Sequence, residues 1–232
     1  MAVVVDAATY DVVEQDARAL GIADAPADGP GSKVTIVYKR VDSRWKPWVA
    51  VTRSCALASV GLLGLGLYTL QDLRPRSQTR LGTRAGTRIG RYTGKVLGSF
   101  ADANSREAKQ KMAEWERSGK AHLLLMKISG RPGVSVVDGE HGGPPFLQFA
   151  NDARNLNGYT NNIQFSTIGV ATATRAVPAA DLESMRSFDD IAESELLASY
   201  GESSWRVHDT LGARENPVVL ESAVMPFLRL KM

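Results

Sequence analysis

The sequence predicts a mixed α+β domain that is rich in β-strands. Short runs of β-branched and apolar residues, such as residues 34–38 and 134–138, recur along the chain between glycine- and proline-containing turns. A single segment, residues 102–119, carries a long helical pattern. The chain has 232 residues, 44% apolar and 23% charged, which is enough for one good core.

The predicted elements follow one another in a simple order. Those of the first half are a helix-like stretch at 10–20, a turn-rich linker at 23–31, and strands at 34–38 and 49–52. Between these strands, Trp45 and Trp48 flank Pro47, which predicts a packed turn. Those of the second half are the helix at 102–119, a hairpin of 123–128 and 134–138, a loop at 139–145, strands at 163–167 and 170–174, and a polar, partly helical insertion at 181–191.

The predicted helix is supported by its ends and by a charge pair. Asn104 or Ser105 can cap its N-terminus, and Gly119 ends it. Glu107 and Lys111 have the i,i+4 spacing of a favourable ion pair. These signals make this segment the strongest local prediction in the chain.

An uncharged run at residues 54–71 has two interpretations. Its length is close to the minimum for a membrane span. It also contains Gly61, Gly64 and Gly66, which are typical of a glycine loop between buried strands. The buried interpretation is favoured, with a membrane-anchored protein as the alternative that membrane fractionation would test.

A basic segment at residues 73–101 contains no acidic residue. Its seven basic residues are Arg74, Arg76, Arg80, Arg84, Arg88, Arg91 and Lys95. Gly82 and Gly86 argue against a helix here, so a basic loop at 74–95 is predicted. A solvated surface loop is preferred to a contact for nucleic acid or an acidic partner, because no aromatic residues are interleaved for base stacking. The net charge of +3 is also too small to imply nucleic-acid binding.

The rarer residue types exclude several kinds of site. Cys55 is the only cysteine, which excludes an internal disulfide and a zinc site built on several thiolates. His122, His141 and His208 are scattered, so no metal is expected, and the phosphate-loop, zinc-protease and serine-hydrolase motifs are absent from the sequence. Asp6 lies too early for a signal peptide. An intracellular protein, nuclear or cytoplasmic, is expected.

Four short motifs occur in a characteristic order. The first two are Gly-Leu-Gly-Leu-Tyr at 64–68 and Ile-Gly-Arg-Tyr-Thr-Gly-Lys-Val-Leu at 89–97. The third is Phe-Ala-Asn-Asp-Ala-Arg at 149–154, followed later in the sequence by Asn162 and Phe165. The fourth is Glu-Leu-Leu-Ala-Ser-Tyr-Gly-Glu-Ser-Ser-Trp at 195–205. In this order the motifs resemble the SET-domain family of protein lysine methyltransferases.

The resemblance implies a fold and a division of the chain. The fold would be SET-like, with small β-sheets around a C-terminal pseudoknot and an inserted helix. Residues 1–50 would form an N-terminal flanking segment and residues 51–205 the catalytic domain. Residues 206–232 would close the substrate side, since the chain lacks the cysteine-rich zinc segment that many members carry there.

The resemblance also implies roles for individual residues. Those that it places at the cofactor S-adenosylmethionine are Gly64, Leu65, Gly66, Leu67, Asn151, Asp152 and Trp205. Tyr200 corresponds to the family's catalytic tyrosine, and Tyr92 and Phe165 to aromatic residues of the channel for the target lysine. The chain departs from the family pattern at Asp152, where many members have histidine, and at Lys95, near a position that is usually acidic.

The implied reaction is methylation of a lysine side chain in a protein substrate, with a histone among the candidates. Free lysine has a pKa of about 10.4, and a narrow apolar channel would favour its reactive neutral amine. No metal is required. The alternative from a different functional class is a catalytically weak SET-like module that binds a peptide or partner protein.

Overall fold

The computed structural model describes residues 3–4, 9–22, 25–70, 81–156, 158–180, 182 and 192–199. The strands are β1 (Val3–Val4), β2 (Tyr10–Asp16), β3 (Lys33–Val41), β4 (Arg44–Arg53), β5 (Leu65–Thr69), β6 (Leu81–Thr83), β7 (Arg88–Arg91), β8 (Gly94–Phe100), β9 (Leu123–Met126), β10 (Val134–Asp138), β11 (Asn151–Asp152), β12 (Ile163–Phe165), β13 (Val170–Ala173), β14 (Val177–Pro178) and β15 (Leu197–Ser199). The helices are α1 (Cys55–Ala58) and α2 (Arg106–Arg117), with 3₁₀ turns at Leu147–Phe149 and Ala153–Asn155. The predicted β-rich α+β class is confirmed.

The first sheet is an antiparallel meander of β2, β3, β4 and β5. It corrects two predictions. The helix-like stretch at 10–20 contains β2, whose exposed Val12 and Val13 lie on an edge strand that pairs along its whole length with β3. The packed turn at 45–48 is part of β4, where Pro47 lies beside a register shift and so does not interrupt the ladder. In both places pairing with β3 overrides the local pattern.

The second sheet has the order β1-β8-β10-β9 and carries α2 on one face. Ser105 caps α2 by accepting a hydrogen bond from the Ala108 amide at 3.2 Å, as the sequence predicts. Ala108 and Met112 face a cluster that includes Phe100 and Val136. The predicted hairpin is confirmed as β9 and β10.

The third sheet has the order β11-β15-β12-β13-β7. The predicted strand pair in the second half of the chain is confirmed as β12 and β13. β15 lies between β11 and β12 and runs parallel to both. A strand from the end of the described chain is therefore inserted between two strands that follow one another in sequence. A fourth, two-stranded sheet joins β6 and β14.

The uncharged run at 54–71 folds into α1 and the buried strand β5, which agrees with the favoured interpretation. Among the described residues, none of the helices has the length and apolar character needed to cross a membrane. The basic segment at 73–101 is less loop-like than predicted, because β6, β7 and β8 lie within it. Residues 73–80 of this segment lie outside the described part, as do most of the insertion at 181–191, Tyr200, Trp205 and the segment 206–232.

Candidate functional site

Three of the sequence motifs converge on the buried carboxyl group of Glu195, which is 1% exposed. Its Oε1 accepts hydrogen bonds from the Ser54 hydroxyl at 2.5 Å and from the Asn151 amide at 3.1 Å. Its Oε2 accepts one from the Ala56 backbone N–H at 2.9 Å. The Tyr68 hydroxyl lies 3.2 Å from the same oxygen. Segments far apart in the sequence thus share one polar cluster.

The secondary structure explains how these donors reach one carboxyl group. Ser54 is the N-cap of α1, so its hydroxyl lies beside the backbone N–H groups of the first helical turn. The Ala56 N–H has no acceptor within the helix, and both groups donate to the Glu195 carboxyl. β5 carries Tyr68 alongside the backbone of Glu195. The Leu196 N–H donates to the Leu67 carbonyl at 2.7 Å. This bond ties the last motif to β5, which is called the glycine strand below because it contains Gly66.

All four groups around the Glu195 carboxyl are neutral hydrogen-bond donors. Burial raises the pKa of Glu195, and the hydrogen bonds that it accepts offset part of that rise. Burial is also the main reason why the pKa of Tyr68 lies above its usual value, followed by the nearby charge of Glu195. The Glu195 carboxyl group is therefore held in a buried environment by hydrogen bonds from neutral groups, and none of these four partners is a cation.

Gly66 is packed directly against this cluster. A Cβ at Gly66 would lie 2.6 Å from Glu195 Oε1 and 3.1 Å from the Cβ of Ser54. The resemblance to the SET-domain family places this glycine at the cofactor. The geometry gives a second reason internal to the protein, because any larger residue would collide with the Glu195 carboxyl.

Asn151 directs its amide group toward the same cluster and is 5% exposed. Its Nδ2 lies 3.1 Å from the Ser54 hydroxyl and 3.0 Å from the Leu65 carbonyl, in addition to its contact with Glu195. An amide group has two hydrogens to share among these three acceptors. The side chain thus links β11 to the glycine strand.

The remaining residues of the predicted cofactor site differ in exposure. Gly64 and Leu65 are partly exposed, and Asp152 is partly exposed and pairs with Arg154. Leu67 is fully buried. Gly64, Leu65 and Asp152 are thus the described members that a ligand could reach directly.

Asn162 fixes β15 in place. Its Nδ2 donates to the Glu195 carbonyl at 2.7 Å, and its Oδ1 accepts from the Leu197 N–H at 2.6 Å. Asn162 belongs to a motif that is visible in the sequence, whereas the motifs did not indicate the roles of Ser54 and Glu195. The sequence signal that could have indicated Glu195 is its place next to the apolar pair Leu196 and Leu197. A charge in such a segment is costly unless it is hydrogen-bonded.

The two predicted channel residues, Tyr92 and Phe165, are in contact. Their ring centroids are 5.8 Å apart and their planes are nearly perpendicular, the edge-to-face arrangement that aromatic pairs favour. Both are buried, and the Tyr92 hydroxyl donates to the His122 carbonyl at 2.8 Å. One side of Phe165 borders an open cleft of about 1210 Å³. The structure thus brings this pair together, with Phe165 as the member that borders the cleft.

Tyr200 and Trp205 lie outside the described residues. The last described residue of β15, Ser199, is paired with Gln164 on β12, next to Phe165. Within the described part of the chain, no group of histidine, cysteine, aspartate and glutamate side chains has a metal-binding arrangement.

Comparisons with known proteins give no family for this chain. No protein-family model matches it, and no curated protein is significantly similar to it. A functional argument therefore depends on the motifs and on the geometry described above.

Proposed function

We propose that the protein is an S-adenosylmethionine-dependent methyltransferase that acts on lysine side chains of a protein. The observation that carries this proposal is the position of β15, parallel to and between β11 and β12. A SET-like pseudoknot requires the last motif to lie inside the segment of the Asn151 motif in this way. The hydrogen bonds of Asn151 and Asn162 to Glu195 and Leu197 support the same interlocked arrangement.

The partly exposed beginning of the glycine strand, at Gly64 and Leu65, offers groups that could bind S-adenosylmethionine. The cofactor carries positive charge on its sulfonium and ammonium groups. The carbonyls of Gly64 and Leu65, each of which already accepts one hydrogen bond, have a second lone pair to offer, and the Asp152 carboxylate, paired with Arg154, adds negative charge. Asn151, Ser54 and Glu195 would hold this part of the strand rigid from behind. Gly66 and Leu67 would then support the site from within rather than touch the cofactor.

When bound, the cofactor would supply a methyl group: the lone pair of the neutral lysine nitrogen forms the N–C bond, the C–S bond breaks with its electrons remaining on sulfur, and the methylated nitrogen releases a proton to solvent. The buried Tyr92–Phe165 pair would favour that neutral amine, because an apolar environment disfavours the ammonium form. The hydroxyl group of Tyr200 would orient the amine toward the methyl group.

A second candidate is a SET-like module that binds a peptide or partner protein and has little catalytic activity. It is favoured by the internal use of the Asn151 amide, which leaves fewer polar groups for a cofactor. Calorimetric titration with S-adenosylmethionine separates the two candidates, because the binding module needs no cofactor.

Replacement of Asn151 by alanine is expected to weaken binding of S-adenosylmethionine or S-adenosylhomocysteine by about 1–3 kcal/mol, because loss of its hydrogen bonds to Ser54, Leu65 and Glu195 would loosen the backbone that the cofactor contacts. Calorimetry measures the affinity, and the thermal midpoint with and without ligand reports binding independently. Asn104→Ala, at an exposed asparagine, is the matched control. Equal affinity of the Asn151 variant and the parent protein would exclude Asn151 from the cofactor site.

Replacement of Phe165 by tyrosine is expected to shift products toward fewer methyl groups, whereas the parent protein should give di- or trimethyllysine. An added hydroxyl beside Tyr92 would occupy space and hold the amine or a water molecule. Mass spectrometry of the product series measures the shift. Phe149→Tyr, at a partly buried ring next to His122, is the control. An unchanged distribution of methyl states in the Phe165 variant would remove this residue from the channel.

A further inference from the structure

The open cleft beside Phe165 has a wall of defined chemistry. It lies between the residues that precede α2 (101–104), the turn between β9 and β10, and the turn between β12 and β13. Its volume of about 1210 Å³ is larger than a single side chain needs. The cleft can therefore accommodate several residues of an extended segment.

The charges along this wall are unbalanced. Among the described residues, three cationic side chains line the cleft, Arg91, Lys127 and Arg131, against the single acidic side chain of Asp102. One carboxylate oxygen of Asp102 already accepts a hydrogen bond from the Asn104 N–H at 2.9 Å. The cleft consequently carries a net positive charge at neutral pH.

Arg91 adds an independent observation. Its Nε is buried and has no hydrogen-bond partner among the described residues. Lys127 and Arg131 are exposed at the turn, where the Arg131 guanidinium lies 3.4 Å from the Ser99 hydroxyl. A buried donor without a partner is costly, and a shift of the Arg91 side chain would bring this donor to an acceptor in the cleft.

The rim also has an apolar component. Ile168 lines the cleft and is 50% exposed, and Phe165 and Ile128 continue the apolar surface inward. In the part of the lining that the structure describes, the aromatic ring is that of Phe165, which is 2% exposed and so not available for stacking. This combination suits a polypeptide with acidic and apolar side chains better than it suits nucleic acid.

We propose that this cleft binds a protein segment in which glutamate or aspartate residues and an apolar residue flank a lysine. That the lysine is the methylated residue rests on the proposed function. The guanidinium groups of Arg91 and Arg131 would bind carboxylates with paired hydrogen bonds, and Lys127 would add a point charge. Because the cleft is open and Lys127 and Arg131 are exposed, each ion pair alone contributes little, and the preference would come from several such pairs together.

The test compares two short fluorescent peptides, each with one lysine and one leucine, which differ only in having glutamate or glutamine at the flanking positions. Binding to the full chain is measured by anisotropy at low and high salt. The glutamate peptide is expected to bind about fivefold to tenfold more tightly at low salt, and salt should reduce the difference.

The variant Arg91→Gln/Lys127→Gln/Arg131→Gln should lose this preference. The control Lys33→Gln/Arg40→Gln/Arg44→Gln removes the same residue types at exposed positions of the first sheet and should retain it. Because Arg91 is partly buried, Lys127→Gln/Arg131→Gln is included, with Lys33→Gln/Arg44→Gln as its control. A reduced preference in the double variant supports the proposal if its melting temperature matches that of the parent.

Three results would overturn the proposal: equal or undetectable binding of the two peptides, an equal loss in the control variants, or a single-stranded oligonucleotide that binds more tightly and depends on the cleft residues. Cofactor titration and methyl-transfer assays separate this proposal from the proposed function. Preference for the glutamate peptide without cofactor binding would retain the cleft as a site for acidic segments and reject the proposed methyltransferase activity. Methyl transfer without that preference would retain the proposed methyltransferase activity and reject the cleft as a site for acidic segments.

Discussion

Replacement of Glu195 by alanine is expected to lower the free energy of unfolding by about 3 kcal/mol. The variant removes the acceptor for the Ala56 N–H and for the Ser54 hydroxyl, both of which are buried. It also leaves a cavity among three elements that are distant in sequence. Relief from burying the carboxyl group, whose pKa is raised by burial, offsets part of this loss.

Chemical denaturation of the full chain measures this effect. Glu193→Ala is the matched control, because Glu193 is exposed and lies two residues away on the same segment. A surface substitution of this kind usually changes stability by less than about 0.5 kcal/mol. If the two variants lose the same stability, the Glu195 cluster does not stabilise the fold.

A double-mutant cycle in the same experiment tests the contact between Glu195 and Gly66. Gly66→Ala alone places a methyl group 2.6 Å from Glu195 Oε1 and should destabilise the protein. In the Glu195→Ala background the collision partner is gone, so the additional loss should be smaller. Gly143→Ala, where the nearest atom to the new Cβ would be 4.0 Å away, should show no such coupling.

The local elements that the sequence predicted correctly are those whose stabilising interactions are themselves local. The Ser105 cap of α2 and the run of β-branched residues in β3 specify their structures within a few residues. The errors occurred where pairing across a sheet decides the structure. β2 is a strand because β3 lies beside it, and β4 continues through Pro47 because a register shift accommodates it.

The candidate site was only partly accessible from the sequence for a related reason. The motifs marked Asn151 and Gly66, but their direct contacts with Glu195 depend on a strand order that no local pattern encodes. The insertion of β15 between β11 and β12 brings residues together over large sequence separations. Burial then converts Glu195, one acidic residue among many in the sequence, into the centre of a hydrogen-bonded cluster.

The largest expected effect on activity is that of Tyr200→Phe. This variant keeps the ring and removes the hydroxyl, and methyl transfer to a protein substrate should fall by roughly two orders of magnitude, as for loss of a preorganised polar group. The place of Tyr200 in the sequence supports this expectation. It directly follows Ser199, whose backbone pairs with that of Gln164, the neighbour of the predicted channel residue Phe165.

The hydroxyl of Tyr200 would act on the reacting groups rather than on cofactor affinity. Calorimetry should therefore show little change in S-adenosylmethionine binding, while the initial rate of methyl transfer falls. Tyr38→Phe, at a partly buried tyrosine of the first sheet, should leave both quantities unchanged and serves as the control. Near-normal turnover of the Tyr200 variant would refute the catalytic role of this hydroxyl. It would leave the interlocked strands unaffected, because their hydrogen bonds come from Asn162 and Glu195.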